Sequence, residues 1–155
     1  MALVVATLQD ELKKLVSNSD NFPASYELAA TNFGNAVNKY GSKVTPPSTT
    51  AAASLAAFIA KFIASKPKES LEILADAVEA YCVALAPGMA PAFAGTPPTA
   101  IAKTAMIAAL NAAGEVAKNG GTAEAWAAAA ATAIDTYFHT GIAVNSTTGV
   151  TIPWA

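Results

Sequence analysis

Alanine-rich segments with larger apolar residues at helical spacing, separated by proline- and glycine-rich breaks, constrain the fold of this chain most strongly. Alanine has the highest helix propensity of any residue. In the clearest segment, residues 24–40, Tyr26, Phe33, Val37 and Tyr40 recur on one helical face. The same periodicity predicts a helix from about residue 3 or residue 8 to residue 17, and further helices over about residues 50–64, 68–85, 100–118 and 123–139. The sequence therefore predicts an all-α fold, a compact bundle of about six helices.

Glycine and proline mark the predicted breaks between these helices. Gly41 and Gly141 follow apolar periodic segments and are expected to end the second and sixth helices. Thr122 stands where a side-chain cap would start the sixth helix. Residues 87–99 are rich in proline and glycine, so we expect this segment to be irregular.

Three of the predicted helices contain similar sequences near their ends, at residues 36–40, 77–81 and 133–137. A proline-containing segment follows each of them, which indicates three helical hairpins with similar exits. The spacing between the three sequences is unequal, whereas a true repeat protein keeps a fixed period. A second interpretation is that amphipathic alanine-rich helices resemble one another by chance.

The tail differs in character from the rest of the chain. It contains residues that favour strands, namely Ile142, Val144, Val150 and Ile152. A turn sequence at 146–149 separates the two pairs, which predicts an extended arm or a small β-hairpin. We therefore divide the chain into a helical bundle domain, residues 1–141, and a C-terminal arm, residues 142–155.

The charges disfavour a nucleic-acid partner. The formal net charge is −2, and all nine basic residues are lysines scattered along the chain. A nucleic-acid surface clusters its positive charge and commonly uses arginine to contact phosphates and guanine.

A membrane partner is also not expected. The uncharged stretch from residue 80 to residue 102 is long enough to cross a bilayer. It contains Pro87, Pro91, Pro97 and Pro98, which an isolated membrane helix would not tolerate. The first residues lack the basic segment of a secretory signal, so we expect a soluble protein made in a reducing cytoplasm.

The residue types that carry most enzyme chemistry are sparse. His139 is the single histidine and stands at a predicted helix end, where a cation complements the helix dipole. Cys82 is the single cysteine and lies on an apolar face, which is typical of a buried thiol. The fourth predicted helix carries four acidic residues, Glu69, Glu72, Asp76 and Glu79. We interpret them as a helix face exposed to solvent. We therefore expect no enzyme activity, no cofactor and no metal site.

The two tryptophans have different expected roles. Trp126 lies on the apolar face of the sixth helix and is predicted to belong to the core. Trp154 lies near the end of the arm, where aromatic side chains often anchor a partner. The arm would bind a neighbouring chain either by adding a strand to the edge of its sheet or by inserting Trp154 into a pocket. The predicted partner-binding residues are Ile142, Val144, Val150, Ile152, Pro153 and Trp154. The alternative is that the arm folds back over its own helices.

The chain combines an alanine-rich body with a loop at residues 88–93 (Gly-Met-Ala-Pro-Ala-Phe) and an ending at 149–155 (Gly-Val-Thr-Ile-Pro-Trp-Ala). In these three features it resembles small virion-associated proteins of tailed bacteriophages. The resemblance implies a structural component of the neck, tail, baseplate or capsid surface. Its partners would be copies of itself and other virion proteins, assembled in the cytoplasm of the host bacterium.

Two other functional classes remain open at this stage. A free helical adaptor or chaperone-like module would have the same composition but would act as a monomer. A small helical enzyme or a pore-forming toxin would need a catalytic motif or a hydrophobic hairpin, and the sequence offers neither.

Overall fold

A computed structural model of the protein describes residues 2–17, 25–66, 68 and 70–155. This part of the chain forms six α-helices: α1 (Val5–Val16), α2 (Tyr26–Gly41), α3 (Ala51–Ala64), α4 (Ser70–Leu85), α5 (Ala100–Lys118) and α6 (Ala123–Phe138). It also forms a short 3-10 helix (Ala86–Met89) and three strands: β1 (Phe93–Thr96), β2 (Ile142–Asn145) and β3 (Thr151–Pro153). The predicted helical bundle is confirmed, but the fold is not strictly all-α because a small antiparallel sheet accompanies it.

Local sequence explains where several of the helices begin. The hydroxyl oxygens of Ser25, Thr99 and Thr122 accept hydrogen bonds from N–H groups three residues ahead, at 3.1, 3.3 and 3.1 Å respectively. These bonds satisfy N–H groups that have no partner within a first helical turn. The predicted cap at Thr122 is thereby confirmed. The first helix begins at Val5, without a side-chain cap.

The helices pack in chain order and close on themselves. Each of α1 to α5 contacts the next helix, and α6 returns to pack against α1. The partners within each predicted hairpin are in contact, namely α1 with α2, α3 with α4 and α5 with α6. However, α2 also packs on α3, and α4 on α5. The arrangement is a closed ring of helices, not three separate hairpins.

The core lies inside this ring. Its largest buried helical side chains are Leu8, Leu12, Val37, Tyr40, Phe58, Tyr81, Leu85, Leu110, Ile134, Tyr137 and Phe138. The helical spacing of apolar residues also predicts burial of Leu74, Val78, Tyr81, Leu110, Ile134 and Tyr137, and all six are buried. The remaining predicted core residues are half-buried and pack against the edge of the core, namely Tyr26, Phe33 and Trp126.

The segment predicted to be irregular contains regular structure. Residues 93–96 form β1, which pairs antiparallel with β2 in the register Phe93↔Asn145 to Thr96↔Ile142. β2 pairs in turn with β3, so the sheet order is β1-β2-β3. Prolines flank β1 but do not interrupt it, so all four residues keep a backbone N–H for pairing. Of the two alternatives predicted for the tail, an extended arm or a small β-hairpin, the hairpin forms, and a third strand that was not predicted joins it.

Gly41 is a helical residue, not the residue that follows a helix. α2 extends through Gly41, and Ser42 is its C-cap. A Cβ atom on Gly41 would lie 2.6 Å from the Tyr81 ring and 2.9 Å from the Phe138 ring. This glycine is therefore required by the close approach of two aromatic side chains, and the prediction of a C-terminal turn at this position is wrong.

Candidate interaction surfaces

Trp154, the predicted partner anchor, is buried in the core of its own chain. Its side chain has 0% exposure, and its ring lies 6.5 Å from that of Phe138. The indole Nε1 donates a hydrogen bond to the carbonyl of Ile142 at 3.0 Å. A Cβ atom on Gly141 would lie 2.5 Å from the indole, so a glycine there allows the ring to pack. In this structure Trp154 has no surface to offer a partner, and the prediction that it is an exposed anchor is wrong.

Backbone hydrogen bonds join the tail to the helical body. The N–H of Trp154 donates to the carbonyl of Gly141 at 2.9 Å. Beyond it, Ala155 and Thr45 exchange two bonds, of 3.1 Å from the Ala155 N–H and 2.6 Å from the Thr45 N–H. Together with the pairing of β1 and β2, these bonds make residues 142–155 part of the packed body. The expected division into a bundle and a separate arm is therefore not what the structure shows.

One face of the sheet remains exposed and carries three of the predicted partner-binding residues. The buried Ala143 and its pair Ile152 face the body, where Ile152 packs against the core. Side chains alternate along a strand, so the residues between them face outward. In register they form two rows, Ala94–Val144–Thr151 and Thr96–Ile142–Pro153. We call these six residues the outer sheet face. None of them is charged, and each is exposed or half-buried.

The edges of this sheet are less suited to binding than its face. β2 is paired on both sides, by β1 and β3. β3 is three residues long and ends at Pro153, which lacks an N–H. Short strands and proline limit the addition of another strand at an edge. Val150, just before β3, is 56% exposed.

A second uncharged surface, missed by the sequence analysis, lies between α5 and α6. A groove of about 660 Å³ runs between the two helices. Alanines from both helices meet there, and their small side chains leave space between the backbones. The lining residues are Ala102, Ala105, Met106, Ala109, Ala112, Ala113, Val116, Ala125, Ala128, Ala129, Thr132, Ala133, Thr136, Tyr137 and Thr140. We call this surface the α5/α6 groove. A signal was present in the sequence, since α5 and α6 each carry more alanines than one buried face can accommodate.

Two threonines that line the groove have hydroxyl groups already engaged in hydrogen bonds to nearby backbone carbonyls. The hydroxyl of Thr132 donates to the carbonyl of Ala128 at 2.9 Å, and that of Thr140 to the carbonyl of Tyr137 at 2.7 Å. Such bonds occupy the hydroxyl hydrogen within the helix itself. The α5/α6 groove therefore offers few free donors that would orient a polar molecule.

Tyr137 borders the groove but is almost fully buried, with a relative exposure of 1%. Within the described residues its hydroxyl has no hydrogen-bond partner. The pKa of Tyr137 is raised mainly by burial, and the nearby Cys82 and Glu79 raise it further. Its phenol is therefore neutral, and it has the properties of a core side chain.

Cys82 and His139 do not have the properties of a catalytic pair. Cys82 is fully buried, and burial, then the nearby Glu79, raises the pKa of its thiol well above the ordinary value. A thiol held in the protonated form is a poor nucleophile. His139 is the C-cap of α6, and its Nδ1 lies 2.8 Å from the backbone carbonyl oxygen of Asp135.

The acidic residues of α4 are not a uniformly solvated face. Asp76 is buried and contacts Lys103 at 2.5 Å, Lys68 at 2.7 Å and the Ser65 hydroxyl at 3.2 Å. Burial alone would raise the pKa of Asp76, but the hydrogen bonds from Lys103 and Lys68 outweigh it and lower the pKa to about 2. The interpretation as a solvated face is therefore wrong for Asp76.

The other acidic residues of this group differ from Asp76. Glu79 forms an ion pair with Lys103 at 2.6 Å, and Glu72 is half-exposed. Glu69 lies outside the described residues. The resulting network connects α4 to α5 and to the turn before α4, so it is a structural element of the bundle.

Among the described residues, no group of three histidine, cysteine, aspartate or glutamate side chains is arranged to hold a metal ion. No described helix combines the length and the apolar character that a membrane span requires. Comparison with protein-family models, curated protein sequences and solved structures finds no match to this chain.

Proposed function

We propose that this protein is a structural or assembly protein that works by packing against other protein subunits, including copies of itself. The observation that carries the proposal is the α5/α6 groove, a continuous apolar surface without a charged side chain. Exposed apolar patches on soluble proteins commonly mark interaction sites, because covering them removes apolar area from water.

The chemistry of the groove favours a protein partner over a polar substrate. Alanine lets a second helix approach closely, near the short end of the usual interaxial range of about 8–10 Å. The hydroxyls of Thr132 and Thr140 are already bonded to their own helix, so shape contributes more than hydrogen bonding to recognition. No catalytic role, cofactor or nucleic-acid contact is part of this proposal.

The outer sheet face supports the same function as a second contact. Ile142 and Val144 stand side by side on β2, between Ala94 and Thr96 of β1 and the residues of β3. β-Branched side chains on a pleated surface pack well against another apolar layer. The predicted partner-binding role is accordingly proposed for Ile142, Val144 and Pro153 of the outer sheet face and for the exposed Val150 before β3. It is no longer proposed for Trp154 or Ile152.

The more specific part of the proposal concerns the assembly. We propose that it is the virion of a tailed bacteriophage, built in the cytoplasm of the bacterial host. The support for this step is the resemblance of the loop at 88–93 and of the ending at 149–155 to virion-associated proteins. Mass spectrometry of particles purified from a producing culture tests it, because a virion component remains with the particles through a density gradient.

Sedimentation velocity across a range of concentrations tests the packing function. We expect the 155-residue chain to sediment above its monomer mass of 15.6 kDa. Ala109→Glu would place a charge in the α5/α6 groove and should return the protein to that mass, since burying an unpaired carboxylate is costly. Ala56→Glu is the matched control, because Ala56 is also an exposed alanine in mid-helix, on α3 outside the groove.

Circular dichroism must show that both variants remain equally helical. A wild-type protein that stays monomeric at all concentrations and is not recovered with any particle would contradict the assembly function. That result would favour the free helical adaptor. Equal dissociation by Ala56→Glu would show that the groove is not the contact.

A further inference from the structure

We draw no further inference here: the strongest candidate, the uncharged groove between α5 and α6 with the buried Tyr137 hydroxyl beside it, belongs to the surface already described, and nothing in the described part of the chain shows what covers it.

Discussion

The indole of Trp154 donates a hydrogen bond to the carbonyl of Ile142, twelve residues earlier in the chain, at 3.0 Å. This bond satisfies the one polar atom of a side chain that has no exposed surface. Buried tryptophans usually find such a partner for their N–H. The contact brings the end of β3 back over the start of β2 and makes the tail part of the core.

Trp154→Ala should therefore destabilise the fold by about 3–5 kcal/mol, the usual cost of emptying a buried aromatic site. Urea denaturation followed by circular dichroism measures this free energy of unfolding. Trp126→Ala is the matched control. Trp126 is half-buried, so its loss should cost only about 1–2 kcal/mol. Equal costs for the two substitutions would contradict the burial of Trp154 in its own chain.

Gly41→Ala should destabilise the protein although it introduces a better helix former. Helix propensity alone would favour alanine by about 1 kcal/mol. A Cβ atom at this position would lie 2.6 Å from Tyr81 and 2.9 Å from Phe138, so the rings must move. Overpacking of this kind costs about 1–3 kcal/mol.

The thermal midpoint provides the measurement for Gly41→Ala. Asn35→Ala, at an exposed position of the same helix, serves as the control and should be neutral or slightly stabilising. A higher midpoint for Gly41→Ala would show that the two rings do not approach as closely as described.

Asp76 should make stability depend on pH in the acid range. Its pKa falls from an ordinary 3.8 to about 2 in the folded protein. A depressed pKa contributes stability that is present above the ordinary value and is lost as the pH falls through the folded value. We expect a contribution of about 2 kcal/mol at neutral pH, lost between about pH 4 and pH 2.

Asp76→Asn should remove that contribution, so its difference from wild type in urea unfolding should shrink as the pH is lowered from 4 to 2. Glu115→Gln is the control, because Glu115 pairs with Lys118 in solvent. Such exposed pairs contribute about 0–1 kcal/mol. A difference between Asp76→Asn and wild type that is constant over this pH range would refute the role assigned to the ion-pair network.

Cys82 should be inert towards thiol reagents in the folded protein. The side chain is fully buried and burial raises the pKa of its thiol. We expect no reaction with a chromogenic disulfide reagent until urea unfolds the chain. Thr148→Cys, introduced together with Cys82→Ala, places a thiol in the exposed turn before β3 and should react at once. Rapid labelling of native Cys82 would reopen the question of an enzyme.

Tyr137 and Tyr40 should respond differently to loss of their hydroxyls. The Tyr40 hydroxyl donates to Asp135 at 2.5 Å, whereas that of Tyr137 has no partner among the described residues. Tyr40→Phe should cost about 1.5–3 kcal/mol, as expected for a hydrogen bond to a charged group. Tyr137→Phe should be neutral or stabilising, because it removes an unsatisfied buried polar atom. Urea unfolding compares the two variants, and an equal loss of stability would mean that Tyr137 has a bonding partner after all.

The helices were predictable because the interactions that form them are local. α5 runs from Ala100 to Lys118, the limits that periodicity predicts. Helical hydrogen bonds join residues four apart, and caps such as Thr122 act within one turn. A sequence window of one helix therefore contains nearly all the information needed for its limits.

The sheet was only partly predictable because its pairing is remote in sequence. The hairpin of β2 and β3 is local and could be recognised from its turn. β1 lies between prolines, and its partner is distant, since Phe93 pairs with Asn145. Whether a short strand forms depends on what lies beside it, and nothing near β1 in the sequence specifies that neighbour.

The sequence by itself determined the helical bundle, the limits of most helices and the sparse supply of catalytic side chains. Only the tertiary structure decided how individual side chains are used: Trp154 fills the core, Gly41 accommodates two rings, and Asp76 is paired while buried. It also decided that the uncharged surfaces lie between α5 and α6 and on the sheet. The physical reason is that helix formation depends on neighbours within a turn, whereas burial depends on residues that only folding brings together.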